Sequence, residues 1–284
     1  MITPFTDDLR DVDIDAFERL LEEQLISGIE AVVVAGTTGE SPVLTHYEKK
    51  KLLRAAVDKC SGHIPVIAGT GSNNTEECVR NSNDAEKEGV DGLLIVTPFY
   101  NKCTQDGVLE HYFYIADRVS TPIIVYNVPS RTGFDIKPET YKQLSSHKMI
   151  KGVKEASSDI TKFIRTKAIC GERLDFYSGN DDLTSAMMAY GAKGVISVAS
   201  NLIPDVMHRI TSLLLSGDIV RGAGLQLKYE ELIDSLFTKV NPVPVKAAME
   251  LCNKLNGKLR LPLTPLKENE KNELKRVLND YKLI

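Results

Sequence analysis

The chain has 284 residues, 42 % hydrophobic and 26 % charged, with a formal net charge of −4. That much apolar surface offsets the ordering entropy of a globular fold and excludes a disordered, collagen-like or disulfide-scaffold chain. Mild acidity argues against a nucleic-acid partner, which calls for a basic face, and the run of about 18 apolar residues that a membrane span needs is absent.

Taken in chain order, short apolar runs alternate with amphipathic stretches. A first strand is expected at Ile2–Phe5. Asp13 then precedes a stripe at helical spacing, Ile14, Phe17, Leu20, Leu21 and Leu25. The strand-like runs follow at Ala31–Ala35, Ile64–Ala68, Gly92–Thr97, Pro122–Asn127, Met149–Lys154, Leu174–Ser178 and Gly194–Val198. Their spacing, roughly 20–30 residues, is the length of one strand–helix unit, and near-continuous apolar runs suit strands buried on both faces. Between them, Thr45 and Glu48 form a capping box, and Pro138 suits a first helical position. Beyond Pro204 only helical periodicity remains, at Val206–Leu215, Ile219–Phe237, Val245–Leu255 and Glu268–Leu283, with Asn241-Pro242-Val243-Pro244 as a hinge between helices. The expectation is an α/β chain: a (β/α)8 TIM barrel over 1–203 with a C-terminal helical extension over 204–284. An open doubly wound sheet would favour a G-x-G-x-x-G fingerprint, and none occurs.

Five cysteines are scattered without a C-x-x-C pair, and none of the five histidines has an H-x-x-x-H partner. Reduced thiols in the cytoplasm and no metal site are expected. The N-terminus shows no secretory signal pattern.

In a barrel the chemistry gathers where the strands end. Gly36-Thr37-Thr38-Gly39-Glu40 is either a plain tight turn or one whose N–H groups hold a carboxylate or phosphate. Thr97-Pro98-Phe99-Tyr100 offers aromatics that pack or line a site. Period 2 puts Ile124 and Tyr126 on one face, so Tyr126 points inward if Ile124 does. Arg131, in the loop beyond, is a surface charge or a carboxylate clamp. The sharpest run is Met149-Ile150-Lys151-Gly152-Val153-Lys154, with Ile150, Gly152 and Lys154 on one face. A strand-end lysine either snorkels to solvent or is desolvated into a nucleophile for carbonyl groups. Glu155 faces the other way, toward a neighbouring helix. Ser178-Gly179-Asn180-Asp181 and Gly194-Val195-Ile196-Ser197 end the last strands. A lysine, a tyrosine, an arginine and paired threonines suggest Schiff-base chemistry on a small keto acid.

The segments Gly36–Glu40, Tyr126–Gly133 and Gly152–Ala156 resemble the signatures of the 4-hydroxy-tetrahydrodipicolinate synthase (dihydrodipicolinate synthase) family, within the pyruvate-dependent class I aldolase and N-acetylneuraminate lyase superfamily. Ile64–Gly71, Gly194–Val198 and Asn241–Lys246 support it, and the resemblance runs from Thr3 to the C-terminus. It implies a lyase of lysine and diaminopimelate synthesis that condenses pyruvate with L-aspartate 4-semialdehyde. By it, Lys154 forms the imine, Tyr126, Thr37 and Tyr100 relay protons, and Tyr100 reaches across a dimer interface. Thr38 and the Ile196 backbone hold the pyruvate carboxylate, Arg131 orients the semialdehyde, and Gly179 lines the mouth. No cofactor is implied, and the assembly is a homotetramer made as a dimer of dimers. The family's regulatory lysine site maps onto His46, Lys49, Asn73, Glu77 and Phe99, with Lys49 in place of a histidine and Phe99 in place of a tyrosine. Weak or absent lysine inhibition is therefore expected. Family members carry more residues in the first strand, so a short opening strand is expected. Two alternatives share the barrel: another Schiff-base pyruvate aldolase, such as an N-acetylneuraminate or keto-deoxy sugar acid lyase, and a non-catalytic barrel that senses pyruvate.

Overall fold

The computed structural model describes residues 1–284. Its strands are β1 Val32–Val34, β2 Val66–Gly69, β3 Gly92–Val96, β4 Ile123–Asn127, β5 Ile150–Glu155, β6 Asp175–Ser178 and β7 Gly194–Val195. They pair in chain order, each parallel to the next. A helix separates each strand from its successor, and the sheet curls into a TIM-barrel wall. The register sets Tyr126 of β4 beside Lys154 of β5, and Lys154 beside Tyr177 of β6.

Alternation sorts the strand residues into two cores. Val33, Ile67, Leu94, Ile124, Tyr126 and Ile196 cluster inside the barrel. Their neighbours, including Val32, Leu93, Ile95, Val125, Val153 and Phe176, join the larger core between sheet and helices. Burial on both faces explains why the runs are apolar throughout.

The expected strand at Ile2–Phe5 does not form, and the sheet has seven strands rather than eight. These residues still sit at the seam. The Met1 amine donates to the Val33 carbonyl at 2.7 Å, the Ile2 N–H to Asn201 Oδ1 at 2.8 Å, and Thr3 Oγ1 to the Gly39 carbonyl at 2.7 Å. Pro4 has no N–H to extend a ladder, and Phe5 makes only an antiparallel bridge to Val12. The last strand is also shorter than expected. After Ile196 N–H reaches the Ser178 carbonyl, the N–H groups of Val198 and Ala199 turn to the Asp181 carboxylate, at 2.9 and 3.3 Å.

The capping box at Thr45 and Glu48 is present, and Pro138 opens its helix. The C-terminal helices span Pro204–Leu215, Ile219–Lys228, Glu230–Ser235, Val243–Leu251 and Glu268–Asp280. The expected helix Ile219–Phe237 is broken at Tyr229, whose ring packs on Tyr281 with centroids 5.3 Å apart. Just before the break, Gln226 Oε1 accepts from Ser185 N–H at 2.9 Å, which ties the helix end to the barrel. No helix is long and apolar enough to cross a membrane. All five cysteines are free.

One buried histidine gives the fold a dependence on acid. His111 lies on the helix Gln105–Ala116, with Nδ1 3.0 Å from Thr75 Oγ1 and Nε2 buried without a partner. Burial lowers its pKa from 6.5 to about 4. The native state therefore binds fewer protons than the unfolded chain, and stability falls as pH drops from about 6.5 toward about 4. Urea unfolding across that window is expected to show a smaller loss for His111→Gln than for the wild type. Equal losses would refute the assignment.

Candidate active site

Lys154 lies near the C-terminal end of β5, on the inner face of the barrel. Its Nζ stands 4.5 Å from the centre of the Tyr126 ring. Gly179, just past β6, makes room for its stem: a Cβ there would lie 2.6 Å from Ala156 Cβ and 3.2 Å from Lys154 Cε. Glu155 points the other way, as its strand position predicts. It is buried and accepts from Asn127 Nδ2 at 2.9 Å, Tyr141 Oη at 2.7 Å and the Ser157 N–H at 2.8 Å. Burial and the Glu155 charge push the Tyr141 phenol well above its usual range. This cluster pins the ends of β4 and β5 together, and so fixes where Tyr126 and Lys154 emerge.

The turn Gly36–Glu40 faces them from the end of β1. Ala35 and Glu40, at φ 54° and 55°, bracket it. Gly39 and Glu40 bond back to the carbonyls of Gly36 and Thr37, while the N–H groups of Thr37 and Thr38 keep no acceptor within the chain. Two free N–H groups with two hydroxyls beside them form an anion cradle. The next loop presses against it, since a Cβ at Gly69 would lie 2.3 Å from the Ala35 carbonyl oxygen.

Behind the turn is a buried ion pair. Lys246 Nζ donates to Glu40 Oε1 and to the Lys258 carbonyl, both at 2.6 Å, and sits 4.2 Å from the Phe5 ring centre. Burial lowers its pKa to about 8, against the opposing pull of Glu40. The Arg260 N–H donates to Glu40 Oε2 at 3.2 Å, and its guanidinium grips Glu48 at 2.9 Å. Residues from the C-terminal helices and the loop after them thus brace the cradle.

Thr37, Thr38, Tyr126, Arg131, Lys154 and Ile196 line one cavity of about 880 Å³. Arg131 is exposed at its mouth, with Nη2 3.3 Å from the Asn241 carbonyl. The Ile196 N–H is committed to the Ser178 carbonyl, which leaves only its own carbonyl, an acceptor, for a ligand in the cavity. Tyr100 stands apart: it is 91 % exposed, at φ 68°, and does not line the cavity of its own chain. His46, Lys49, Asn73, Glu77 and Phe99 line the same cavity. There Asn73 Nδ2 donates to the Phe99 carbonyl at 3.2 Å and Ser72 Oγ to Glu77 at 2.8 Å. Burial lowers the Lys49 pKa, with Glu77 pulling the other way.

Three residues near the site escaped the sequence reading. Asp181 is buried, its pKa raised by burial, and it turns the chain after β7; its place at a strand end was the available signal. Asn241 lies in the segment read as a hinge and Lys246 in the helix expected after it; the supporting stretch Asn241–Lys246 gave neither a role, and nothing local in sequence ties them to β1.

A barrel that presents an amine, a phenol and an anion cradle to one mouth defines an enzyme of the aldolase-like lyase class. Comparison with known proteins narrows this. The sequence model of the Dihydrodipicolinate synthetase family matches residues 1–281. The 4-hydroxy-tetrahydrodipicolinate synthase of Caldicellulosiruptor bescii is 46 % identical over 281 residues, covering 99 % of this chain and 95 % of that protein. Among solved structures, dihydrodipicolinate synthase from Aquifex aeolicus aligns with a TM-score of 0.97 at 40 % identity, covering 100 % of this chain and 96 % of the other. The chloride-inhibited dihydrodipicolinate synthase from Acinetobacter baumannii, complexed with pyruvate, aligns at 0.98 and 35 % identity, covering 100 % and 97 %. The chain belongs to the dihydrodipicolinate synthetase family.

Proposed function

We propose that this site condenses pyruvate with L-aspartate 4-semialdehyde to give 4-hydroxy-tetrahydrodipicolinate, in lysine and diaminopimelate synthesis. The observation that carries the reading is the Lys154 amine, held 4.5 Å from the Tyr126 ring centre and sharing a cavity with the Thr37–Thr38 cradle. The amine adds to the pyruvate C2 carbonyl and water leaves, giving an imine. The imine draws electrons from C3, which loses a proton and becomes a nucleophile. That carbon bonds to the aldehyde carbon of the second substrate, and the resulting alkoxide takes a proton. The bound product's own amine then displaces Lys154, which restores the enzyme.

Tyr126 moves the protons, aided by the Thr37 hydroxyl that lines the same cavity; proton transfer by positioned side chains contributes about 10²–10⁴-fold. The Thr38 hydroxyl and the free N–H groups of Thr37 and Thr38 hold the pyruvate carboxylate, while the Ile196 carbonyl, an acceptor, makes a backbone contact at the edge of the bound molecule. Support for pyruvate comes also from the Acinetobacter relative, solved with that compound. Reduction with borohydride in the presence of pyruvate is expected to leave a stable adduct that peptide mapping places on Lys154. Folded protein without an adduct would sink the reading.

Arg131 receives the carboxylate of the semialdehyde at the mouth. Arg131→Ala is expected to lower kcat/KM for the aldehyde by about 10²-fold, the loss of a charge-assisted pair, while pyruvate trapping stays within about twofold. Unchanged aldehyde turnover would refute this role.

Tyr100 completes the relay from a second subunit. Its 91 % exposure fits a side chain awaiting a partner. The assembly is a homotetramer, a dimer of dimers, and sedimentation that finds only monomer would remove Tyr100 from the mechanism. The setting is the cytoplasm, where five free thiols stay reduced; fractionation to another compartment would refute it.

The group of His46, Lys49, Asn73, Glu77 and Phe99 is a poor receptor for lysine. The Lys49 ammonium repels a ligand that carries ammonium groups of its own. Initial rates are expected to be insensitive to lysine up to millimolar concentration, and Lys49→His is expected to increase sensitivity. Micromolar inhibition of the wild type would overturn this.

A further inference from the structure

Asn241 lies between the helices Glu230–Ser235 and Val243–Leu251, and it is 203 residues from Thr38 in sequence. Its Nδ2 donates to Thr38 Oγ1 at 2.8 Å. Its backbone carbonyl accepts from Arg131 Nη2 at 3.3 Å. Its Oδ1 is buried with no donor in reach. One residue outside the barrel strands therefore touches both side chains assigned above to the two substrate carboxylates.

The direction of the first bond matters. An amide N–H₂ can only donate, so Thr38 Oγ1 is the acceptor and must send its own proton elsewhere. The free N–H groups of Thr37 and Thr38 already mark an anion cradle on that turn. A threonine whose oxygen is occupied from behind becomes a fixed donor, ready for a carboxylate without reorientation. We propose that Asn241 is a positioning residue for the keto-acid carboxylate: its amide sets the Thr38 hydroxyl as a donor, while its backbone carbonyl anchors Arg131 at the mouth. This rests on the reading of Lys154 and Thr38 under "Proposed function".

Five expected results separate this role from a merely structural one. Asn241→Ala is expected to slow borohydride trapping of pyruvate, or to raise its KM, by about tenfold, the usual effect of one lost hydrogen bond. The same variant changes trapping of hydroxyacetone, a neutral ketone with no carboxylate, by less than about twofold. Asn241→Asp is worse than Asn241→Ala with pyruvate, because a carboxylate accepts the Thr38 proton and repels the substrate. Because Asn241 acts through Thr38, adding Asn241→Ala to Thr38→Val is expected to produce little further loss. The KM for the aldehyde stays within about twofold in Asn241→Ala, since the carbonyl that holds Arg131 remains.

Equal losses on pyruvate and hydroxyacetone would overturn the proposal in favour of a structural role. So would an Asn241→Asp variant as active as the wild type, or additive losses in the double variant. A wild type that forms no adduct with pyruvate overturns the proposed reaction and this inference with it. A wild-type adduct with any of the preceding three results overturns this inference alone.

Discussion

Lys154→Ala is expected to leave a folded barrel that forms no adduct with pyruvate and condenses its substrates slower by on the order of 10⁴-fold or more, the scale seen when a covalent nucleophile is removed. The fold survives because Lys154 has no ion-pair partner to strand. The tight cluster at the end of β5 belongs instead to its neighbour Glu155, bonded to Asn127, Tyr141 and Ser157. Lys154→Arg is the sharper control. It keeps the positive charge, and with it any attraction for an anionic substrate, but offers no free amine at neutral pH. Steady-state rates and borohydride trapping on both variants, beside thermal unfolding, separate chemistry from folding. Retention of a tenth of the wild-type rate in either variant would remove Lys154 from its role.

Lys246→Met is expected to destabilise the protein by about 3–5 kcal/mol, the range found when one member of a buried ion pair is removed. Lys246 is wholly buried, and its departure leaves the Glu40 carboxylate without its counter-charge, held only by the Arg260 N–H, and the Lys258 carbonyl without its donor. Burial already holds the Lys246 pKa at about 8, so the charge is sustained only by these contacts. Glu40 also stands at φ 55° at the end of the turn that carries Thr37 and Thr38. Activity should therefore fall along with stability. Changing both partners, Lys246→Met with Glu40→Gln, should recover part of the loss because no lone charge remains. Urea titrations of both variants test this. A single variant within about 1 kcal/mol of the wild type would mean that the pair contributes little.

The strand ladder was legible because a parallel strand covered on both faces has to be apolar along its whole length, as in Leu93, Leu94 and Ile95. Lys154 was legible for the complementary reason, as a charge at the end of such a run. Period 2 also sorted Tyr126 inward and Glu155 outward, and the inner cluster around Leu94 and Ile124 bears out the first. Element ends were harder to read, because they depend on partners far along the chain. β7 stops where the Asp181 carboxylate takes the next two N–H groups. The helix after Ile219 breaks at Tyr229, which packs against Tyr281. Asn241 and Lys246 were illegible as site residues for the same reason. Their partners, Thr38 and Glu40, are 203 and 206 residues away, and a short proline-rich stretch carries no periodic signal of what it will touch.

The seam between β1 and β7 has a mechanical consequence. Elsewhere around the wall, neighbouring strands are joined by backbone ladders, so separating them means breaking backbone bonds in concert. At the seam the wall is joined through Met1, Ile2 and Thr3, by one terminal amine and two side-chain links. Each can open by a bond rotation, without unzipping its neighbours. A hoop fastened by a clasp deforms first at the clasp. The β1 and β7 edges are therefore expected to open before the rest of the wall, and hydrogen exchange at the β1 amides should be faster than at those of β5. The Thr37–Thr38 cradle hangs from the end of β1, one side of that seam, whereas Lys154 sits on β5, deep in the ladder. Lys154 thus sits in the part of the wall held by strand pairing, and the Thr37–Thr38 turn in the part held by the clasp.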